Sequence, residues 1–166
     1  LTGLITDTGR FQYSNTTSEV FSIAAELLSN GANLSNISEN IYGSIKFNAL
    51  TLQSKIIERI VLNEELQFAH SIVFQNDYKD YQVEPEETDF LIDVVRLVKE
   101  STVALLLKEQ SDGSFKGSLR SRGDMDVQKI ASIFGGGGHV AASGFSSNQS
   151  PEFILEKIEH EIRKSI

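Results

Sequence analysis

Cysteine is absent from this sequence of 166 residues, and only two prolines occur. Without cysteine there can be no disulfide bond and no thiolate metal site, and this composition favours a reducing compartment, which predicts the cytoplasm. Long apolar runs are also missing, since none approaches the roughly 20 residues needed to cross a bilayer. Basic residues are few, with 15 Lys and Arg against 23 Asp and Glu and a net charge of −8, which argues against holding long nucleic acid by bulk electrostatics.

The first part of the chain, residues 1–62, predicts one strand followed by helices. Leu1, Leu4 and Ile5 suggest the end of a buried strand, and a chain that starts in mid-strand without methionine or signal peptide suggests a fragment of a longer protein. Thr16 and Glu19 have the spacing of a capping box. Apolar residues at helical spacing then predict three helices, within the stretches Val20–Leu28, Ile37–Ile45 and Leu52–Val61.

The periodicity changes near Leu62–Glu65, and we place a domain boundary there, before a second region at 63–166. The run "LQFAHSIV" predicts a strand, and "EPEETDFLIDVVRLVKEST" predicts a helix with acidic residues in its first turn. Asp112-Gly113 between two apolar runs predicts a β-hairpin. A short helix over Asp126–Phe134 and another from Pro151 complete the pattern. The fold class is therefore mixed α/β.

Four glycines lead into a histidine in "FGGGGHVAASGF", residues 134–145. Ordered glycine costs roughly 0.5–1 kcal/mol relative to alanine in a regular element, and the apolar neighbours argue against a flexible linker, which polar residues would flank. Gly136, Gly137 and Gly138 can instead present backbone N–H groups to phosphate oxygens without interfering side chains. No Gly-Lys-Ser/Thr follows, so the run does not match the Walker pattern.

The segment from Ser114 to Gly123 contains no acidic residue although the chain as a whole is acidic. Its basic residues are Lys116, Arg120 and Arg122. The two arginines lie two apart on a predicted strand, so we expect them to point the same way. Hydroxyl groups of Ser118 and Ser121 beside a guanidinium are typical of phosphate binding, whereas the alternative is a solvated strand face with two surface arginines.

Asp7 follows the first apolar run and precedes Thr8-Gly9. This position predicts the carboxyl end of a strand, where ligand sites gather in α/β sheets. The alternative is an aspartate that caps a turn. His70, in a strand pattern, and His160, on the polar side of the last helix, receive no functional role.

Three motifs together resemble the DHH phosphoesterase family: "DTGRF" at 7–11, "SLRS" at 118–121 and "GGGGHVAASGF" at 135–145. The first is similar to the last motif of the catalytic domain, and the other two to the DHH-associated substrate-binding domain. Their order and spacing resemble the nanoRNase branch, which combines oligoribonuclease and pAp-phosphatase activity. The sequence contains no Asp-His-His. The resemblance therefore implies the end of a DHH catalytic domain with linker helices over 1–62, then a mixed-sheet α/β substrate-binding domain over 63–166.

The resemblance also implies a mechanism, namely hydrolysis of short oligoribonucleotides and pAp with two divalent metal ions, usually Mn²⁺. Asp7 would be a metal ligand, and Asp7 and His139 would be the catalytic residues. The residues implied to hold substrate across an interdomain cleft are Ser118, Arg120 and Ser121 on one side and Gly136, Gly137, Gly138 and His139 on the other. A fragment that carries only the substrate-binding half of such an enzyme is expected to be inactive.

Two other functions stay open. The C-terminal domain of alanyl-tRNA synthetase shares the glycine–histidine motif, which would make this chain a non-catalytic RNA-binding module. Asp7-Thr8-Gly9 and the lack of a broad basic face argue against that function. The second alternative is a phosphodiesterase that cleaves cyclic dinucleotides, because enzymes of that kind resemble the same family. Neither a membrane segment nor a particular oligomeric state is predicted, and a homodimer is one arrangement that the sequence allows.

Overall fold

The computed structural model describes residues 1–13 and 15–165, and it divides into two compact units on either side of the Ile45–Lys46 bond. In the first unit the helices are α1 (Thr2–Asp7), α2 (Ser18–Ser29) and α3 (Leu34–Tyr42). In the second unit the helices are α4 (Phe47–Glu58), α5 (Gln75–Tyr81), α6 (Leu91–Val95), α7 (Val127–Ser132) and α8 (Pro151–Ser165). The boundary between 62 and 63 that the sequence suggested stays a prediction.

The chain begins with a helix, so the predicted first strand is wrong. Leu4 and Ile5 belong to α1, where Ile5 is buried, and the Thr8 hydroxyl donates to the Leu4 carbonyl at the end of the helix. Apolar residues at positions 1, 4 and 5 fit the helical period as well as a short buried run, and so few residues cannot separate the two. Asp7 therefore ends a helix and not a strand.

The start of α2 also differs from the prediction by one residue. Thr17, and not Thr16, is the N-cap, and its hydroxyl accepts a hydrogen bond of 3.3 Å from the backbone N–H of Val20. A threonine side chain in this position satisfies one of the free N–H groups of the first turn. The predicted end of the helix is confirmed, since Gly31 follows the last turn with a positive φ of 94°.

Among the described residues, six strands of the second unit form one mixed sheet in the order β1-β2-β3-β4-β6-β5. Only β2 and β3 are parallel neighbours within it, and the other adjacent pairs are antiparallel. The strands are β1 (Val61–Asn63), β2 (Phe68–Val73), β3 (Val103–Glu109), β4 (Phe115–Ser121), β5 (Gly137–His139) and β6 (Ala142–Ser147). The predicted mixed-sheet α/β architecture is confirmed.

Local predictions in this unit are confirmed where the turn or cap chemistry is strong. The Asp112-Gly113 hairpin joins β3 to β4, with Gly113 at a positive φ of 82°. The Asp126 carboxylate caps α7 by accepting from the N–H groups of Gln128 and Lys129. The single helix predicted after residue 84 is instead a 3-10 turn, Pro85–Thr88, followed by the short α6.

Hydrophobic clusters cover the sheet on its two faces. On one face, β3 and β4 side chains such as Leu105 and Leu119 pack with α7 and α8. On the other face, α4, α5 and α6 share a cluster with Ala69, Ala104 and Leu106 of β2 and β3. This second cluster stops at β3, and the face continues across β4, β6 and β5 with half-buried or exposed residues.

Candidate functional site

Arg120 and His139 stand in one row across three neighbouring strands. Arg120 of β4 pairs with Ala142 of β6, and Ala142 pairs with His139 of β5. Paired residues on adjacent strands project to the same face, so the guanidinium and the imidazole lie on one side of the sheet, roughly 10 Å apart at their Cα atoms for two strand spacings. The small side chain of Ala142, which is half-buried, adds little bulk between them.

The next row has almost no side chains. Ser118 of β4 pairs with Gly144 of β6, which pairs with Gly137 of β5. We call the side of β4, β6 and β5 that carries these two rows the open face. Its floor is backbone at Gly144 and Gly137, bordered by the Ser118 hydroxyl, so a ligand can approach the sheet closely between polar groups.

The glycines of the run differ in what they do. A Cβ at Gly136 would lie 2.2 Å from the Gly144 carbonyl oxygen, and one at Gly138 would lie 2.6 Å from that of Ala142, so both glycines allow β5 and its approach to pack against β6. Gly137 is different, because a Cβ there meets no atom of the described chain within 4 Å. The absence of a side chain at Gly137 is therefore not explained by packing within the chain.

The Arg120 guanidinium is only partly engaged by the protein. Its Nη1 donates to the Leu119 carbonyl at 3.0 Å, and its Nε lies 3.9 Å from Asp93 Oδ1. Within residues 1–13 and 15–165, that buried Nε has no hydrogen-bond partner. A buried donor without a partner is costly, and because this Nε is closed to solvent, a ligand oxygen would have to bind the exposed part of the guanidinium. No sequence signal pointed to Asp93, because only the fold brings α6 next to β4.

Arg122 and Ser121 use their polar groups inside the protein. Arg122 lies just beyond β4, so it does not share a strand face with Arg120 as predicted, and it donates to the carbonyls of Arg96 and Val98. The buried Ser121 hydroxyl lies 2.7 Å from the Met125 carbonyl and 3.3 Å from that of Val140. Ser121 would have to leave these partners to reach a phosphate, and its role there stays a prediction.

Asp7 lies in the first unit as the exposed last residue of α1, and its backbone carbonyl accepts from the Asn15 amide at 3.0 Å. In the described ranges there is no group of three or more His, Cys, Asp or Glu side chains placed to hold a metal ion. One carboxylate cannot complete such a site. The described residues therefore hold no metal centre by themselves, Asp7 could supply only one of the ligands that the resemblance implies, and no chemical step through a metal follows from them.

His139 is exposed, and its own backbone carbonyl accepts a 2.7 Å hydrogen bond from the Ser143 hydroxyl. This bond fixes the turn between β5 and β6 and leaves the imidazole on the open face. His70 differs, since burial lowers its pKa below the ordinary histidine value in its place on β2. The predicted strand position of His70 is confirmed, and its lack of a functional role stays a prediction.

The comparisons with known proteins agree on the family. The DHHA1 domain family matches residues 65–164. The chain is 32% identical over 170 residues to the bifunctional oligoribonuclease and PAP phosphatase NrnA of Thermus thermophilus, with 99% of this chain and 50% of that protein covered. A probable NrnA of Streptococcus mutans is 30% identical over 145 residues, with 87% of this chain and 46% of that protein covered.

A solved structure shows the same fold. An exopolyphosphatase-related protein from Bacteroides fragilis superposes with a TM-score of 0.85 at 24% identity, covering 97% of this chain and 47% of that one. The chain spans about half the length of the curated relatives it matches. No helix in the described part of the chain is long and apolar enough to span a membrane. The chain belongs to the DHHA1 domain family of the DHH phosphoesterases, as its three motifs predicted.

Proposed function

We propose that this chain holds the phosphate of a short oligoribonucleotide, or of pAp, on its open face for hydrolysis by the complete protein. The observation that carries this proposal is the row in which Arg120 and His139 flank Ala142, beside the glycine floor at Gly144 and Gly137. A guanidinium offers two parallel donors to a phosphate, and the floor lets the backbone approach it. The names of the NrnA relatives support this substrate class.

Each residue has a distinct task in this proposal. Arg120 holds a non-bridging phosphate oxygen with the Nη donors on the exposed part of its guanidinium, and the Ser118 hydroxyl adds a further hydrogen bond. His139 donates to a phosphoryl oxygen and so favours the negative charge that grows there during hydrolysis. The net charge of −8 fits a short ligand, because a few local cations suffice without a basic track over the surface.

We further propose that the complete protein uses divalent metal, Mn²⁺ by resemblance to the family, and that Asp7 supplies one carboxylate. The isolated 166-residue chain should therefore hydrolyse neither a two-nucleotide RNA nor pAp, with or without Mn²⁺. In the complete protein, Asp7→Asn should lower kcat strongly with little change in melting temperature, because Asp7 is exposed. Wild-type turnover by Asp7→Asn would instead leave Asp7 as a helix-end residue. A cytoplasmic location is part of the proposal and is supported by the lack of cysteine.

The test of the substrate class is a panel assayed with the complete protein in Mn²⁺. Three ligands are compared at equal concentration: a two-nucleotide RNA with a 5′-terminal phosphate, pAp, and a cyclic dinucleotide. We expect higher kcat/KM for the two linear ligands, because each presents a terminal phosphate to Arg120. A higher kcat/KM for the cyclic ligand would contradict the proposal and would indicate a cyclic-dinucleotide phosphodiesterase. Tight binding of structured RNA without any turnover would indicate an RNA-binding module.

A further inference from the structure

We propose a second phosphate subsite on the open face, formed by Lys116 and Ser146, which receives another phosphate of the same linear nucleotide. This inference rests on the proposed function, because it assumes that Arg120 holds the first phosphate. The ligands it would favour are nucleoside bisphosphates and oligonucleotides with at least two phosphates. Mononucleotides with one phosphate would gain nothing from it.

The position of the subsite follows from the strand register. Lys116 of β4 pairs with Ser146 of β6, one row beyond the glycine floor that includes Gly144. Alternate residues of a strand share a face, so Lys116, Ser118 and Arg120 form a line along β4, with the two cations about 13 Å apart at their Cα atoms. Both side chains are long and flexible, so they can lean toward the Ser118 row from its two ends.

The floor between the two cations is suited to the rest of a nucleotide. Gly144 and Gly137 contribute no side chain, and no described atom lies within 4 Å of a Cβ placed on Gly137. A sugar or base can therefore lie over this row while phosphates reach the cations on either side. Opposite ends of one ligand would then be held by the two ends of one strand.

Lys116 has the charge that such a subsite needs. Its side chain is exposed, and no acidic partner contacts it within the described parts of the chain. Its neighbour in the same row, Lys108 of β3, is the opposite case: buried, with its Nζ 2.6 Å from Asp89 Oδ1 and 3.3 Å from Thr88 Oγ1. The fold thus uses one lysine of the row to anchor the 3-10 turn and leaves the other on the open face.

A matched control is available on the opposite side of the sheet. Lys157 lies on α8, the helix that covers the other face through Ile154, Ile158 and Ile162. Lys157→Gln removes the same charge as Lys116→Gln from the same chain. Any general effect of net charge on an anionic ligand will therefore appear equally in both variants, whereas the subsite predicts an effect at Lys116 alone.

The experiment measures the dissociation constants of AMP and pAp by calorimetry with the complete protein in EDTA. The wild type should bind pAp about tenfold more tightly than AMP, the gain expected from one hydrogen bond to a charged group. Lys116→Gln should lose most of that ratio by weakening pAp alone. Ser146→Ala should lose part of it, and Lys157→Gln should keep it.

Two results would overturn the subsite: wild-type chain that binds AMP and pAp equally, or Lys116→Gln that leaves their ratio unchanged. Arg120→Ala separates this inference from the proposed function. If Arg120→Ala weakens both ligands and Lys116→Gln does not alter the ratio, only the second subsite fails. If Arg120→Ala weakens neither ligand, the proposed phosphate site itself fails.

Discussion

Arg120 and His139 belong to different strands of the sheet but are fixed in one row by their common neighbour, Ala142. Backbone hydrogen bonds between strands set this spacing, so it does not depend on a loop conformation. Side chains on a rigid element hold a ligand more reproducibly than side chains on loops. Because the row is at the surface and not in the core, its side chains can be changed without opening a cavity.

The first prediction concerns His139. In the complete protein, His139→Ala should lower kcat by about 10²-fold, as expected for the loss of one donor to a developing negative charge. The melting temperature should stay unchanged, because the imidazole is exposed. Kinetics on a two-nucleotide RNA and a thermal melt decide this. His160→Ala is the control, since His160 is an exposed histidine on α8, which covers the other face. A lower melting temperature with normal turnover would make His139 a packing residue.

The second prediction separates the two arginines. Arg120→Ala should raise KM and leave stability unchanged, and Arg120→Lys should restore little of the affinity, because an ammonium lacks the two parallel donors. Arg122→Ala should instead lower the free energy of unfolding by about 1–3 kcal/mol, because the carbonyls of Arg96 and Val98 lose their donor. Urea denaturation and steady-state kinetics on both variants test the contrast. Equal effects of the two substitutions on KM would contradict it.

The third prediction compares two neighbouring glycines. Gly136→Ala should destabilise the fold, because its Cβ would lie 2.2 Å from the Gly144 carbonyl oxygen and the strands would have to separate. Gly137→Ala should fold normally, since the space around its Cβ is empty of described atoms. It should nevertheless weaken pAp binding by narrowing the floor. Melting temperature and calorimetry are measured on each variant. Gly137→Ala with wild-type affinity would show that no ligand reaches this part of the open face.

The sequence predicted the elements that depend on local chemistry. The Asp112-Gly113 turn, the helix start at Asp126 and the proline that opens α8 each depend on a few residues, and all three lie where they were expected. By contrast, β1 and α5 were missed, because Val61–Asn63 is a strand only through its pairing with β2, and Gln75–Tyr81 is a mostly polar helix of only about two turns. The first helix was mistaken for a strand because the three apolar residues Leu1, Leu4 and Ile5 are too few to define a period.

The candidate site was predictable as a set of motifs but not as an arrangement. Nothing in the sequence says that β6 lies between β4 and β5, and this order alone brings Arg120 and His139 into one row. Strand order and register depend on contacts that are distant in sequence. The same reason explains why Arg122 looked equivalent to Arg120 in the sequence. In the structure, Arg122 follows the last residue of β4, and its side chain donates hydrogen bonds to backbone carbonyls.

The last prediction concerns how stability depends on pH through Asp77, in the layer of helices beside the open face. Arg59 Nη1 lies 2.6 Å from Asp77 Oδ2, and Nη2 lies 3.0 Å from Oδ1. Burial alone would raise the pKa of Asp77, but the hydrogen bonds from Arg59 and from the Phe74 N–H outweigh it and hold the pKa below the ordinary aspartate value.

A carboxyl group whose pKa is lower in the folded state stabilises the fold fully above its unfolded pKa, about 4, and loses this contribution as the pH falls through the folded value. Asp77→Asn should therefore lower the free energy of unfolding at pH 7 by about 1–3 kcal/mol. The gap between variant and wild type should shrink below about pH 4. Urea melts at pH 7 and pH 3 measure it, with Asp80→Asn as the control, because Asp80 is an exposed aspartate on the same helix. A gap of equal size at both pH values would show that Asp77 stabilises the fold through its shape and not through its charge.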